Sequence, residues 1–140
     1  PPRSTLFPYT TLFRSRNSWM SIAGVFGALG VILGAFGAHG LKERVPADLL
    51  VVFEVGVRYH MYHAIAMLAV AVFAAESRNR WFGRACSAWL VGIVIFSGSL
   101  YLMTFTGMRW LGAITPIGGV ALIVGWCLVI RAGLSRQEGA

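Results

Sequence analysis

Charge is scarce in this chain. Charged residues make up 12% of its 140 positions, about half the share of an ordinary soluble domain. Acids are scarcest, with 5 Asp and Glu against 12 Lys and Arg. Cysteine is nearly absent. Cys86 and Cys127 offer neither the spacing of a metal knuckle nor a secreted disulfide framework. The formal charge of +7 is not matched by a soluble region of interleaved aromatic and basic residues, so nucleic acid is set aside as a partner. Hydrolytic chemistry lacks its usual marks: Ser97 and Ser99 lie in a serine-glycine run, not a nucleophile elbow, and no acid-histidine pair flanks them.

Long apolar runs stand in place of charge. Residues 17–41, 59–75, 85–108 and 110–130 contain no Asp, Glu, Lys or Arg. Each is close to or above the roughly 20 residues that carry a helix across a bilayer. In lipid a backbone must satisfy its own hydrogen bonds, which makes such runs spanning helices. The expected fold is all-α: an integral membrane four-helix bundle with a short interfacial helix before the second span. The spans are expected at about 19–39, 57–75, 85–106 and 110–131. They form one domain over 16–134, with 135–140 as a tail.

The first residues read differently. Pro1 to Ser15 resemble, codon for codon, the in-frame translation of a common sequencing-library adapter. A segment of that origin is excluded from fold reasoning, and 1–15 is expected to be disordered. Without Arg3 and Arg14 the formal charge falls from +7 to +5.

Within the first span Gly24, Gly27, Gly30, Gly34 and Gly37 recur on one side of a helix, together with Ala23 and Ala38. Small faces let membrane helices approach closely. Gly27, Gly30, Gly34 and Gly37 are therefore expected to pack, as are Gly118 and Gly119. In 42–58, Pro46 suits a helix start and Asp48 its positive end. Glu54 and Arg58 are placed for an ion pair, and Gly56 for a bend. Thr106 to Arg109 reads as a tight helical hairpin. Pro116 is expected to kink the fourth span and leave irregular backbone over 115–119.

The Lys and Arg count favours the side holding Arg16, Arg78, Arg80, Arg84, Arg131 and Arg136. Both termini are accordingly expected in the cytoplasm of a bacterial inner-membrane protein.

Taken in order, GAFGAHGLK, YHMYHAIAML, FSGSLYLM, ITPIGG and a later GW resemble the family of small bacterial membrane proteins known as domain of unknown function 423. The resemblance covers roughly Met20 to Ala132. It implies a four-helix inner-membrane protein and supplies no reaction. The family usually has Tyr-Gln-x-Tyr/Phe-His where this chain reads Tyr59-His60-Met61-Tyr62-His63, so His60 replaces an amide.

The polar residues of the spans gather in one half of the membrane: His39, Tyr59, His63, Ser97, Ser99, Tyr101 and Thr115, with His60 and Thr104 beside them. Three readings follow. Such groups bond helix to helix, or line a transport path past a broken fourth helix, or hold a metal or haem through histidine. The first makes the chain non-enzymatic, acting through helix packing or partner contacts. The second makes it a small transporter or channel component, and the third a redox protein. No deep charge supports an ion path. No metal ligand set, catalytic residue or cofactor is assigned. The partners expected are the lipid bilayer and either a second copy or another membrane protein.

Deleting Pro1 to Ser15 should leave insertion and folding unchanged. Membrane fractionation and thermal melts in detergent check this, and a protein that no longer inserts would contradict it.

Overall fold

Each charge-free run becomes one helix, because hydrocarbon offers its amides no partner but their own chain. The computed structural model describes residues 7–74 and 79–137. It comprises α1 (Phe7–Phe36), a single π-helical turn (Gly37–Leu41), α2 (Ala47–Ala74), α3 (Arg80–Thr106), a 3-10 turn (Arg109–Ala113) and α4 (Thr115–Gln137). Among the described residues there is no strand. Four helical stretches are long and apolar enough to cross a membrane.

Three boundaries differ from the sequence reading. Helix α1 reaches back to Phe7, so 7–15 are helical where disorder was expected, while 1–6 lie outside the described residues. Pro8 sits in the first turn, where a missing N–H does no harm, and extending an existing helix needs no new nucleus. Helix α2 starts at Ala47 and runs unbroken through Gly56. The stretch read as an interfacial helix is thus the opening of the second span itself. Gly56 does not bend it. A Cβ there would lie 2.9 Å from Tyr101 Cε1, so the glycine admits α3 closely. Helix α4 starts at Thr115, which puts Pro116 in a first turn rather than mid-helix. No kink results, and the irregular backbone is the 3-10 turn before it, not 115–119.

Chain neighbours pack in order: α1 on α2, α2 on α3, α3 on α4. Helix α3 is the centre. Its apolar window is 44% buried, against 17% for the first and last spans, so those two are the lipid-facing flanks. Trp89, Phe53 and Met67 are fully buried.

Glycines set the seams. On α1, Gly30 meets Met61, Gly34 meets Val57 and Gly37 meets Phe53. Gly27, expected beside them, has open space at its Cβ position. At about 100° per residue it stands outside the narrow stripe that Ala23, Gly30, Gly34 and Gly37 share. On α4, Gly118 lies against the Phe96 backbone and Gly125 against the Trp89 ring, while Gly92 of α3 receives Leu122. Gly119 is looser: a Cβ there would lie 3.7 Å from the Phe96 ring.

Both ends of the α3–α4 pair are tied. Gly107 closes α3 at φ 70°, its N–H bonding Met103 O at 2.9 Å, a left-handed cap that glycine adopts without strain. Arg109 in that hairpin pairs with Asp48 of α2 at 2.6 Å. At the other end Asn79 caps α3 by accepting the Trp81 N–H, and its amide donates to Ala132 O and Ser135 Oγ of α4. Asp48–Arg109 is the ion pair among the described residues; Glu54 and Arg58 do not form the one expected. Both are exposed, and an exposed helical pair is worth only about 0.3–0.5 kcal/mol.

Gly118→Ala should destabilise the bundle by about 1–3 kcal/mol, since the new methyl meets backbone that cannot move aside. Gly98→Ala, with open space around it, should be neutral or slightly stabilising. Thermal unfolding of both variants in one detergent checks this; equal melting temperatures would contradict the tight seam.

Candidate functional site

The polar side chains of the spans sit where α3 touches its neighbours. Near the hairpin end, Thr104 Oγ1 donates to Leu49 O of α2 at 3.1 Å, with Leu100 O as a second acceptor at 2.9 Å. Ser99 and Thr115 join α3 to α4 through their hydroxyls at 2.8 Å. Farther in, Ser97 Oγ donates to Gly56 O at 2.8 Å. The Tyr101 hydroxyl meets His60 Nδ1 at 3.1 Å.

His63 is the best-partnered of these groups. Because α2 begins at Ala47 rather than near residue 57, His63 lies about 24 Å along it, near the middle of the helix. The sequence reading had put it near the start of the second span, in the same half of the membrane as His39. Its two ring nitrogens have unlike partners. Nδ1 is 2.7 Å from Tyr59 O, and Nε2 is 3.1 Å from Trp126 Nε1 of α4. A carbonyl only accepts and an indole N–H only donates. The ring must therefore carry its proton on Nδ1 and accept at Nε2. Both partners match the neutral ring in one tautomer.

Aromatic rings enclose this histidine. Trp89 and Trp126 meet edge to face at 4.9 Å, and each ring centroid is 6.1 Å from that of His63. Tyr59 stacks over His63 at 6.3 Å while remaining 42% exposed, so its ring lines the site from the lipid side. Gly125 is what lets Trp89 lie flat against α4.

The expected polar residues are thus divided. Tyr59 and His63 belong to the aromatic site. Ser97, Ser99, Tyr101 and Thr115 form separate cross-links along α3. His39 joins none of them: it lies in the π-helical turn with its side chain exposed. The three histidines do not converge, and among the described residues no group of three His, Cys, Asp or Glu could hold a metal ion. Cys86 is buried and Cys127 exposed, so the two thiols occupy the inside and the outside of the bundle.

Trp126 and Trp89 were not singled out in the sequence. The GW pair was the available signal, a glycine beside a ring on a packed helix. His60 is also more than a substituted amide. It is 3% exposed, and its Nε2 has no hydrogen-bond partner, nor has the indole nitrogen of Trp89.

An apolar groove of about 350 Å³ opens beside the site between α2 and α4, floored by α3. Ala66, Phe73, Phe82, Trp89, Trp126 and Val129 line it. Its walls carry almost no polar surface, so it suits a hydrocarbon chain. Hydrolysis, proton transfer or metal binding would each need groups that this groove lacks.

Comparison with known proteins agrees with this picture. A family described as Protein of unknown function (DUF423) matches residues 33–119. The chain is 47% identical to the UPF0382 membrane protein YwdK of Bacillus subtilis, over 81% of this chain and 94% of that protein. It is 40% identical to a UPF0382 membrane protein of Haemophilus influenzae, over 79% and 89%. It is 35% identical to the UPF0382 inner membrane protein YgdD of Escherichia coli, over 82% and 93%. No solved structure matches the chain.

In ¹⁵N-histidine-labelled protein at pH 7.5, His63 should show the spectrum of a neutral ring protonated on Nδ1. Trp126→Phe should leave Nε2 without its donor, shift that signal and cost about 1 kcal/mol. An Nε2-protonated His63 in the unsubstituted protein would contradict the assignment.

Proposed function

The chain belongs to the DUF423 family of membrane proteins, and from that footing we propose that it is non-enzymatic and acts through helix packing and contacts with a partner in the membrane. The observation behind this reading is how the polar atoms of the spans are used. Thr104, Ser99, Ser97, Tyr101 and His63 each bond a neighbouring helix or its backbone. Little is left over to bind or transform a solute. Among the described residues, His63 bonds a carbonyl and an indole and no carboxylate, lysine or arginine that could accept or supply a proton.

The transport reading loses its main support. A broken fourth helix would have supplied unpaired backbone and a vestibule, whereas α4 is regular through Pro116 and Gly119. The haem or metal reading needs histidines from different spans to face one another, and they do not.

In this proposal the outer flanks do the work. The first and last spans expose most of their surface, and a second copy of this chain or another membrane protein is the natural occupant. The relatives are named as membrane proteins, and the Escherichia coli relative as an inner membrane protein, which supports the bacterial inner membrane as the location. The arginine-rich end then faces the cytoplasm with both termini, and the 42–46 turn before α2 and Arg109 face outward.

Two measurements test the proposal. Reconstituted in sealed vesicles, the protein should leave imposed proton and potassium gradients unchanged, and native mass spectrometry should find no stoichiometric metal or haem. Either a flux or a bound metal would overturn the non-enzymatic, non-transport reading. For orientation, Glu138→Cys in a Cys86→Ala, Cys127→Ala background should react with a membrane-impermeant maleimide only after the cells are opened. Labelling of intact spheroplasts would reverse the topology.

A further inference from the structure

At the end of the bundle remote from the Asp48–Arg109 pair, three guanidinium groups surround one indole. Arg84 lies 4.8 Å from the centre of the Trp81 ring, Arg80 5.2 Å and Arg131 5.6 Å. Arg80 and Arg84 come from the first turns of α3, and Arg131 from the last turns of α4. All three are exposed. Arginines gathered this closely repel one another, and the ring offsets only part of that repulsion.

Two further facts sharpen the imbalance. The first turns of α3 carry no acidic residue, yet a helix N-terminus is itself positive and favours an anion. The acids among the described residues, Glu43, Asp48 and Glu54, all belong to the opposite end, where Asp48 meets the hairpin. Among the described residues, this end of the bundle carries no carboxylate.

We propose that the Trp81, Arg80, Arg84 and Arg131 cluster is a binding site for the phosphate of an anionic phospholipid headgroup. A guanidinium fork matches phosphate oxygens in pairs. An indole half-buried at the end of a spanning helix sits at headgroup depth, which places the site where a lipid phosphate already resides. The Asn79 tie holds α3 and α4 together at this corner, so Arg84 and Arg131 converge from two helices without needing the lipid to gather them.

The test is native mass spectrometry of the protein from detergent mixed with phosphatidylglycerol, with phosphatidylethanolamine, or with inorganic phosphate. One phosphatidylglycerol should be retained in preference to phosphatidylethanolamine. An Arg84→Gln, Arg131→Gln variant should retain it about 25-fold more weakly, about fivefold for each guanidinium lost. Lys42→Gln with Arg58→Gln removes equal charge from the other end and should leave retention unchanged. Thermal melts confirm that both variants are folded, and Trp81→Leu gives a second, charge-preserving variant that should also weaken retention. Equal retention of the two lipids, or equal loss in the control variant, would overturn the proposal. Full competition by millimolar inorganic phosphate would overturn the lipid as the source of the anion.

Discussion

A polar group in hydrocarbon has no water to turn to, and the interior of this bundle is arranged around that constraint. Side-chain hydroxyls on α3 reach backbone carbonyls on α2, which already accept one helical bond and have a lone pair free. Ser97 takes Gly56 and Thr104 takes Leu49. From Leu49 to Gly56 and from Ser97 back to Thr104 the chain advances seven residues on each helix, so the two bonds recur after two turns of an antiparallel pair. Each bond averages only about 0.6 kcal/mol in measured membrane proteins. Their weight lies in register: sliding α2 by one residue would break both interhelical bonds and leave the Ser97 hydroxyl without its acceptor.

The α3–α4 seam keeps a single register throughout. Asn79 faces Ser135, Trp89 faces Gly125, Gly92 faces Leu122, Phe96 faces Gly118 and Ser99 faces Thr115. Every step along α3 is matched by an equal step back along α4. Large residues oppose glycines alternately from the two sides, so the backbones approach without leaving voids. The hydrogen bond from Trp126 to His63 is reached only because this seam and the α2–α3 seam are both in place. It therefore reports the assembly of three helices at once.

The spans were legible in the sequence because absence of charge is a local property, readable without knowing what touches what. The start of α2 was not, since Asp48, Glu54 and Arg58 look like loop charges. All three lie on an exposed face in the first half of α2, and that single boundary moved His63 from the start of the second span to the middle of its helix. Gly30 and Gly27 are indistinguishable by composition; one meets Met61 and the other meets nothing, a difference decided by helix phase and by the residues on α2. Pro116 read as a break because its position relative to the helix start was unknown. The pairing of His63 with Trp126 depends on tertiary register, which periodicity within one helix does not encode.

The two ends of the bundle are chemically unlike, and this follows from how the charges are distributed. At the hairpin end an arginine meets an aspartate and α3 terminates in a left-handed glycine. At the other end a neutral asparagine makes the structural ties and the arginines are left without carboxylates among the described residues. A bundle that needed only stability could have closed both ends with ion pairs at small energetic difference, since exposed pairs contribute little. Separating the structural tie from the cationic cluster leaves three guanidiniums available at headgroup depth. With most interior polar groups committed to register, His60 Nε2 and Trp89 Nε1 being the buried exceptions among the described residues, chemical selectivity in this molecule resides at its surfaces: two lipid-facing flanks and one basic corner.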